Sequence, residues 1–382
     1  MKTYPHNVKT IKSENRALIF NYLRRKPTSR AEISKGSGMS KSAVTMITNE
    51  LIHDGQIVET NSAPSARGRK SILLDIVADY RVAAGISLHR KHIYVCIVDL
   101  KSRILAYASH KTSDWNNPYR LMDDAYREIC GFLEELNIPK ERCLGIGVSA
   151  PGPLDYVSGV MMSSPEFELF HNVDVRSYLQ NKSGMPVMLD NNAVLLAMQQ
   201  SLSNQYPYKN FIFVVVSNGI GSAVINNGTV YRGFRGFAGE LGHTSIHANG
   251  IPCSCGNAGC LEKYISIQAL QEKFGIPSYE KVVDDAYMGD HEANRILEYI
   301  ADEFSCALGN AINLFDPDGV IIYGQFSYRP EKLFALLQEK VNRRSVITRT
   351  HPVEISYSRM QPDEASASVC SAIINRYFEQ KL

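Results

Sequence analysis

The sequence predicts an α/β protein with a small helical head over residues 1–78 and a body of two similar halves, 79–186 and 187–382, with a cleft between them and the C-terminal helix free to return to the first half. Three observations carry this. Residues 8–76 string together helix caps, turns and a hairpin at close spacing. A three-stranded meander followed by alternating strands and helices occurs twice in the remainder. Charge is also divided along the chain: residues 1–80 hold 13 Lys/Arg against 7 Asp/Glu, and the rest hold 28 against 32. A basic head therefore sits on a mildly acidic body, which points to a nucleic-acid-binding head.

In the head, apolar Ile11, Leu18, Ile19, Tyr22 and Leu23 recur at helical spacing over residues 8–25, and Lys26-Pro27 stops that helix. Ser29 with Glu32 three residues later is a capping box opening a short helix that ends near Lys35-Gly36. Gly38-Met39-Ser40 makes the turn, and Ser40 caps a third helix running to about His53. Val44, Ile47 and Leu51 share its buried face, while Lys41, Ser42, Thr45, Met46 and Asn49 lie largely off it. Residues 56–60 and 71–74 read as a hairpin. This is the layout of a winged helix-turn-helix, whose third helix enters the major groove; Lys41, Ser42 and Thr45 are its candidate base contacts. At the hairpin tip, Arg67-Gly68-Arg69 places two guanidinium arms for a narrow, A·T-rich minor groove, and the same stretch serves as a basic link to the body.

In the body, strands are expected at 82–88, 93–99 and 103–107, a helix at 119–135, and a buried strand at 143–150 ended by Pro151-Gly152-Pro153. The second half, from Val187, has strands at 211–216, 221–225 and 319–324 and helices at 262–274, 290–313, 330–341 and 363–378. Ligands in such folds collect at the strand ends that face the cleft.

Cys253, Cys255 and Cys260 fall within eight residues, with His243 ten before the first. Thiolates and imidazole are what a tetrahedral, borderline-soft ion such as Zn²⁺ selects, and four ligands close the shell, as in a structural site. His247 is a competing nitrogen that spacing alone does not separate from His243. The other five cysteines, Cys96, Cys130, Cys143, Cys306 and Cys370, sit in mostly apolar settings and are expected to be reduced. Eight cysteines over 382 residues are no secreted disulfide framework. The N-terminus shows no signal peptide, and no apolar run is long enough to span a membrane. A cytoplasmic protein that does not insert into membranes is expected.

The chain resembles the ROK family of repressors and sugar kinases, specifically its transcriptional-regulator branch. The resemblance rests on Gly239-Glu240-Leu241-Gly242-His243 followed by the cysteine cluster and Leu261-Glu262, on residues 145–153, and on residues 314–324. It implies a sugar-kinase-like body of the actin/hexokinase type, and favours His243 as the fourth zinc ligand. It further implies that Glu240, His243 and Glu262 hold sugar hydroxyls together with the pair Asn191 and Asn192. In the family's kinases an aspartate stands where this chain has Asn192, and an amide cannot take a proton from a hydroxyl at neutral pH. The phosphate-binding turn of those kinases is replaced by Ser87-Leu88-His89-Arg90-Lys91, which lacks its acid and its glycine.

The expectation is therefore no catalytic residues and no enzyme. The chain should be a dimeric, or dimer-of-dimers, repressor that binds double-stranded operator DNA and answers to a sugar or sugar derivative. The two rival readings are a regulator answering to a protein partner and an ATP-dependent sugar kinase with a DNA-binding head.

Overall fold

The computed structural model describes residues 8–60, 72–89, 91–162, 167, 169–202, 205–348 and 350–379. The chain divides into two compact units, Met1–Asn191 with Pro362–Leu382, and Asn192–Gln361.

The first unit opens with α1 (Val8–Arg25), β1 (Thr28–Ser29), α2 (Arg30–Ser37), α3 (Lys41–His53), β2 (Ile57–Thr60) and β3 (Leu73–Ile76). The local chemistry works as the sequence implies. Ser29 and Glu32 close a reciprocal capping box, Gly38 ends α2 in the left-handed conformation, and Ser40 caps α3 through the Ala43 N–H. Val44, Ile47 and Leu51 are buried, and the strands pair in the order β1-β3-β2.

Next come β4 (Val82–Leu88), β5 (His92–Asp99), β6 (Ile104–Lys111), α4 (Pro118–Glu135) and β7 (Cys143–Ala150). Three two-residue strands follow, β8 (Leu154–Asp155), β9 (Val160–Met161) and β10 (Val173–Asp174), then α5 (Val175–Ser183) and β11 (Val187–Asn191). The main sheet has the order β11-β7-β4-β5-β6, parallel on the β11 side of β4 and antiparallel on the other. The strand beginning at Val187 thus pairs with β7 in the first sheet.

The second unit holds α6 (Asn192–Leu202), β12 (Phe211–Val216), β13 (Ile220–Asn226), β14 (Thr229–Val230), α7 (Glu262–Ile265), α8 (Ile267–Phe274), α9 (Tyr279–Tyr287), α10 (His291–Phe315), β15 (Gly319–Gly324), α11 (Glu331–Arg344) and β16 (Glu354–Tyr357). Its sheet has the order β14-β13-β12-β15-β16, again a three-stranded meander extended by two parallel strands. The duplication expected from the sequence is present as this repeated topology. One expected helix, 262–274, is two: Ser266 takes an extended conformation, and its hydroxyl caps α8 through the Ala269 N–H.

The C-terminal segment, α12 (Pro362–Ala367), a 3-10 turn at Ser368–Cys370 and α13 (Ser371–Phe378), belongs to the first unit. It too was expected as one helix. One apolar core joins this segment to the head and to the back of the sheet: Phe20 and Leu23 of α1, Ala83, Cys96 and Val98 of the sheet, and Val369, Ile373 and Phe378 are buried together. Arg24 donates to Asn375 Oδ1 at 2.6 Å and lies 4.6 Å over the Phe378 ring. Burial brings its pKa down to about 10, so it remains charged at neutral pH. The turn reaches the sheet only because Gly147 has no side chain; a Cβ there would stand 2.1 Å from the Val369 carbonyl oxygen.

Gly147→Ala should therefore lower stability by about 1–3 kcal/mol, the usual cost of overpacking. Gly131→Ala, inside α4 where an added Cβ meets nothing within 4 Å, should raise it by about 0.5–1 kcal/mol. Denaturant unfolding of the two variants beside the parent checks both signs.

Candidate functional site

The second unit gathers its acidic and cysteine-bearing segments around the first residues of β13. The loop before the 3-10 turn Leu241–His243 passes against this strand with no room for side chains. Gly239, at φ +102°, would place a Cβ 2.7 Å from the Ser222 carbonyl oxygen, and Gly242 one 2.3 Å from that of Ile220. Ser222 Oγ donates to the Gly239 carbonyl. From the other side, Glu262 at the start of α7 accepts the Ile220 N–H on Oε2 at 2.8 Å and is buried. Glu240 and Glu262 are thereby fixed from opposite sides of one strand start.

Glu240 remains open to solvent, yet the protein crowded around it raises its carboxyl above the ordinary range. The Glu262 carboxylate adds to that rise and the His243 ring opposes it. Asn192 opens α6, and α6 packs on β13 where Ala193 meets Gly221. Asn192 Oδ1 is buried with no hydrogen-bond partner among the described residues. An orphaned buried acceptor is uncommon and calls for a donor, from water or from a ligand. Asn191 ends β11, and its N–H donates to Asp190 Oδ1 at 2.8 Å.

His243, Cys253, Cys255 and Cys260 come together with all four ligand atoms within 4.8 Å of one another. The Cys255 and Cys260 sulfurs are 3.7 Å apart, as are His243 Nδ1 and Cys253 Sγ. These separations suit the edges of a tetrahedron around an ion held at about 2.0–2.3 Å. Burial, and then the neighbouring Cys255 and Cys253 sulfurs, push the Cys260 thiol up to about 12 without a cation. A shared positive ion would reverse that. His247 is not in the cluster; its Nε2 pairs with Glu303 Oε2 at 2.8 Å and its ring packs on Tyr264. The eight cysteines carry no disulfide, with Cys96, Cys143 and Cys370 buried and Cys130 and Cys306 half-buried.

Sequence reasoning missed one feature of the first unit. Where β4 and β7 end, Ser149 Oγ lies 2.6 Å from Ser87 Oγ, and Ser87 Oγ lies 2.9 Å from His89 Nε2. Desolvation lowers the His89 pKa, so the ring stays neutral at pH 7 and fills the turn with a hydrogen-bonded chain. Two hydroxyls on adjacent strands carry no sequence signal, because their pairing is set by register. In the head, Lys41, Ser42 and Thr45 are exposed on the first turns of α3. Arg67 and Arg69 lie outside the described residues. No helix among the described residues is long and apolar enough to cross a membrane.

The ROK family model matches residues 83–375, which is most of the chain. The chain belongs to the ROK family. The ROK chain is 30% identical to the xylose repressor of Caldicellulosiruptor bescii, across 95% of this chain and 96% of that protein. The solved structure of a ROK transcriptional regulator homologous to the Escherichia coli MLC protein shares its fold over 97% of this chain and 98% of that one, with TM-score 0.79 at 23% identity. The ROK hexokinase of Thermus thermophilus matches 78% of this chain and 99% of its own, with TM-score 0.66 at 26% identity. The kinase is thus covered almost completely while a fifth of this chain is left over. The xylose repressor and the transcriptional regulator both match from end to end.

Glu262→Ala should leave the buried Ile220 N–H without an acceptor and destabilise the protein by about 1–3 kcal/mol. Glu262→Gln, which keeps an acceptor oxygen, should retain most of that stability. Paired thermal and denaturant melts distinguish the two.

Proposed function

We propose that this ROK protein is a sequence-specific DNA-binding transcriptional regulator, a repressor of carbohydrate uptake or catabolism genes whose hold on its operator is set by a sugar or sugar derivative. One combination of features carries the reading. A head with an exposed helix-turn-helix precedes a body that keeps its hydroxyl-binding acids but has Asn192 where the family's kinases have a catalytic base and His89 in the phosphate-binding turn. Such a body can bind a sugar and has no group placed to activate it.

Glu240 and Glu262 would accept hydrogen bonds from sugar hydroxyls, and Asn192 Oδ1 would accept another. His243 turns Nδ1 toward Cys253, which leaves Nε2 to donate to the same ligand. The donor set of one imidazole and three thiols selects Zn²⁺, which when bound would tie the loop carrying His243 to the cysteine turn. Its role would be structural, because four protein ligands leave no open position. Lys41, Ser42 and Thr45 would lie near base edges, with Arg67 and Arg69 in A·T-rich minor groove and a homodimer on an operator of matching two-fold symmetry.

Purified protein should contain one equivalent of zinc, and Cys255→Ser should lose it together with thermal stability. Metal analysis well below one equivalent, or a variant that keeps its zinc, argues against the site.

A calorimetric screen of pentoses, hexoses, amino sugars and their phosphates, repeated with operator DNA, should return a hit that alters DNA binding and is lost in Glu240→Ala. The hit should not be phosphorylated when ATP is added. An ionised carboxylate accepts hydroxyl hydrogen bonds more strongly than the protonated acid does. With the Glu240 pKa raised, sugar affinity should be full above that value and fall as pH drops through it, at higher pH than for an ordinary glutamate near 4.5. A screen without any hit turns the reading toward a protein partner.

A further inference from the structure

We propose that Met46 reads the 5-methyl group of a thymine in the operator's major groove. This rests on the DNA-binding reading above and names the chemical feature that α3 recognises.

Ser42, Thr45, Met46 and Asn49 form one exposed stripe on α3, at i, i+3, i+4 and i+7. Met46 is 56% exposed in the middle of it, while Val44, Ile47, Thr48 and Leu51 fill the core. The core of the head is complete without the methionine, so its apolar side chain is left for another surface.

Its polar neighbours are already engaged. The Ser42 hydroxyl lies 3.0 Å from that of Ser40, and Thr45 Oγ1 donates to the Lys41 carbonyl at 2.8 Å. Arg30 Nη2 donates to Asn49 Oδ1 at 3.0 Å. A guanidinium only donates, so the amide oxygen must face it. Asparagine recognises adenine in a bidentate way with one donor and one acceptor; the Asn49 oxygen already accepts from Arg30, which takes up part of its acceptor capacity and fixes how the amide faces. The stripe therefore presents a thioether chain, the Thr45 methyl and the Asn49 amide.

Among the major-groove edges of the base pairs, the apolar feature is the thymine methyl. Methionine is unbranched and polarisable and adapts to such a target. Arg30 also fixes how the stripe faces. Its Nε donates to Thr48 Oγ1 at 2.9 Å and its Nη1 to Glu59 Oε1 at 2.8 Å, which ties α3 to the wing strand β2. The rotation of α3 relative to the wing is thereby held with Met46 outward.

The test uses the full-length protein and a duplex that it enriches from a randomised library. Each thymine is replaced in turn by deoxyuridine, which removes the methyl and keeps the pairing. At one thymine per half-site the wild type should bind about fourfold more weakly, the value of one buried methyl group. Met46→Ala should lose at least as much on the thymine duplex and show no further loss at that position with deoxyuridine. Met46→Leu, which stays apolar, should keep part of the discrimination and guards against a folding artefact in the alanine variant. Indifference of the wild type to every deoxyuridine, or an undiminished methyl effect in Met46→Ala, overturns the proposal. A failure to enrich any duplex removes the DNA-binding reading and this inference with it, an outcome distinct from enrichment without methyl sensitivity.

Discussion

Everything chemically distinctive in the second unit hangs on the backbone of Ile220–Ala223. The Glu240 loop crosses its carbonyls at glycine-only distance, Glu262 takes its first N–H, and α6 packs its second residue on Gly221. Each contact is made to main chain, so none can be relaxed by choosing another rotamer. Two carboxylates, an imidazole and a thiol cluster are consequently held in one neighbourhood by a strand that contributes no charged side chain. Desolvation by the surrounding protein raises the cost of ionising Glu240, and the nearby Glu262 carboxylate adds to it. A neutral, hydroxyl-rich ligand is one of the few that such a neighbourhood can take without adding a like charge.

The scaffold is similar to that of a hexokinase over most of its length and to that of a transcriptional regulator from end to end. Asn192 offers a buried amide oxygen with no hydrogen-bond partner among the described residues. Ser149, Ser87 and His89 form a hydrogen-bonded chain of neutral groups where β4 and β7 end. Neither feature interrupts the sheets, and a shared fold does not by itself decide between catalysis and regulation.

The head is not an appendage on a tether. Its first helix shares a core with the C-terminal helix, sealed by Phe20, Phe378 and the buried guanidinium of Arg24. The first and last helices among the described residues thus meet, and the segment that closes the first unit also supports the helix-turn-helix head. A buried cation with one strong acceptor is costly to displace, which makes this junction specific in geometry as well as apolar.

The elements of the head were legible residue by residue, because Ser29, Glu32, Gly38 and Ser40 act within a single turn of chain and need no partner from elsewhere. The two meanders were legible through alternation and buried runs, and the His-Cys cluster through spacing and donor chemistry. Other features depended on contacts between distant residues. His247 stands as close in sequence as His243, but Glu303 and Tyr264 draw it away. The strand at Val187 looks like the start of a second half until it pairs with β7. The two-residue strands β8 to β10 have no period to read. Arg30 looks like an ordinary first-turn residue, and only the packed head shows that it claims the Asn49 acceptor and leaves Met46 uncovered. Composition, caps and motifs determined what kind of protein this is, because those signals are local. Which atoms remain free to meet a ligand or a base was decided by tertiary structure, because a group is free only once every distant competitor for it has been placed.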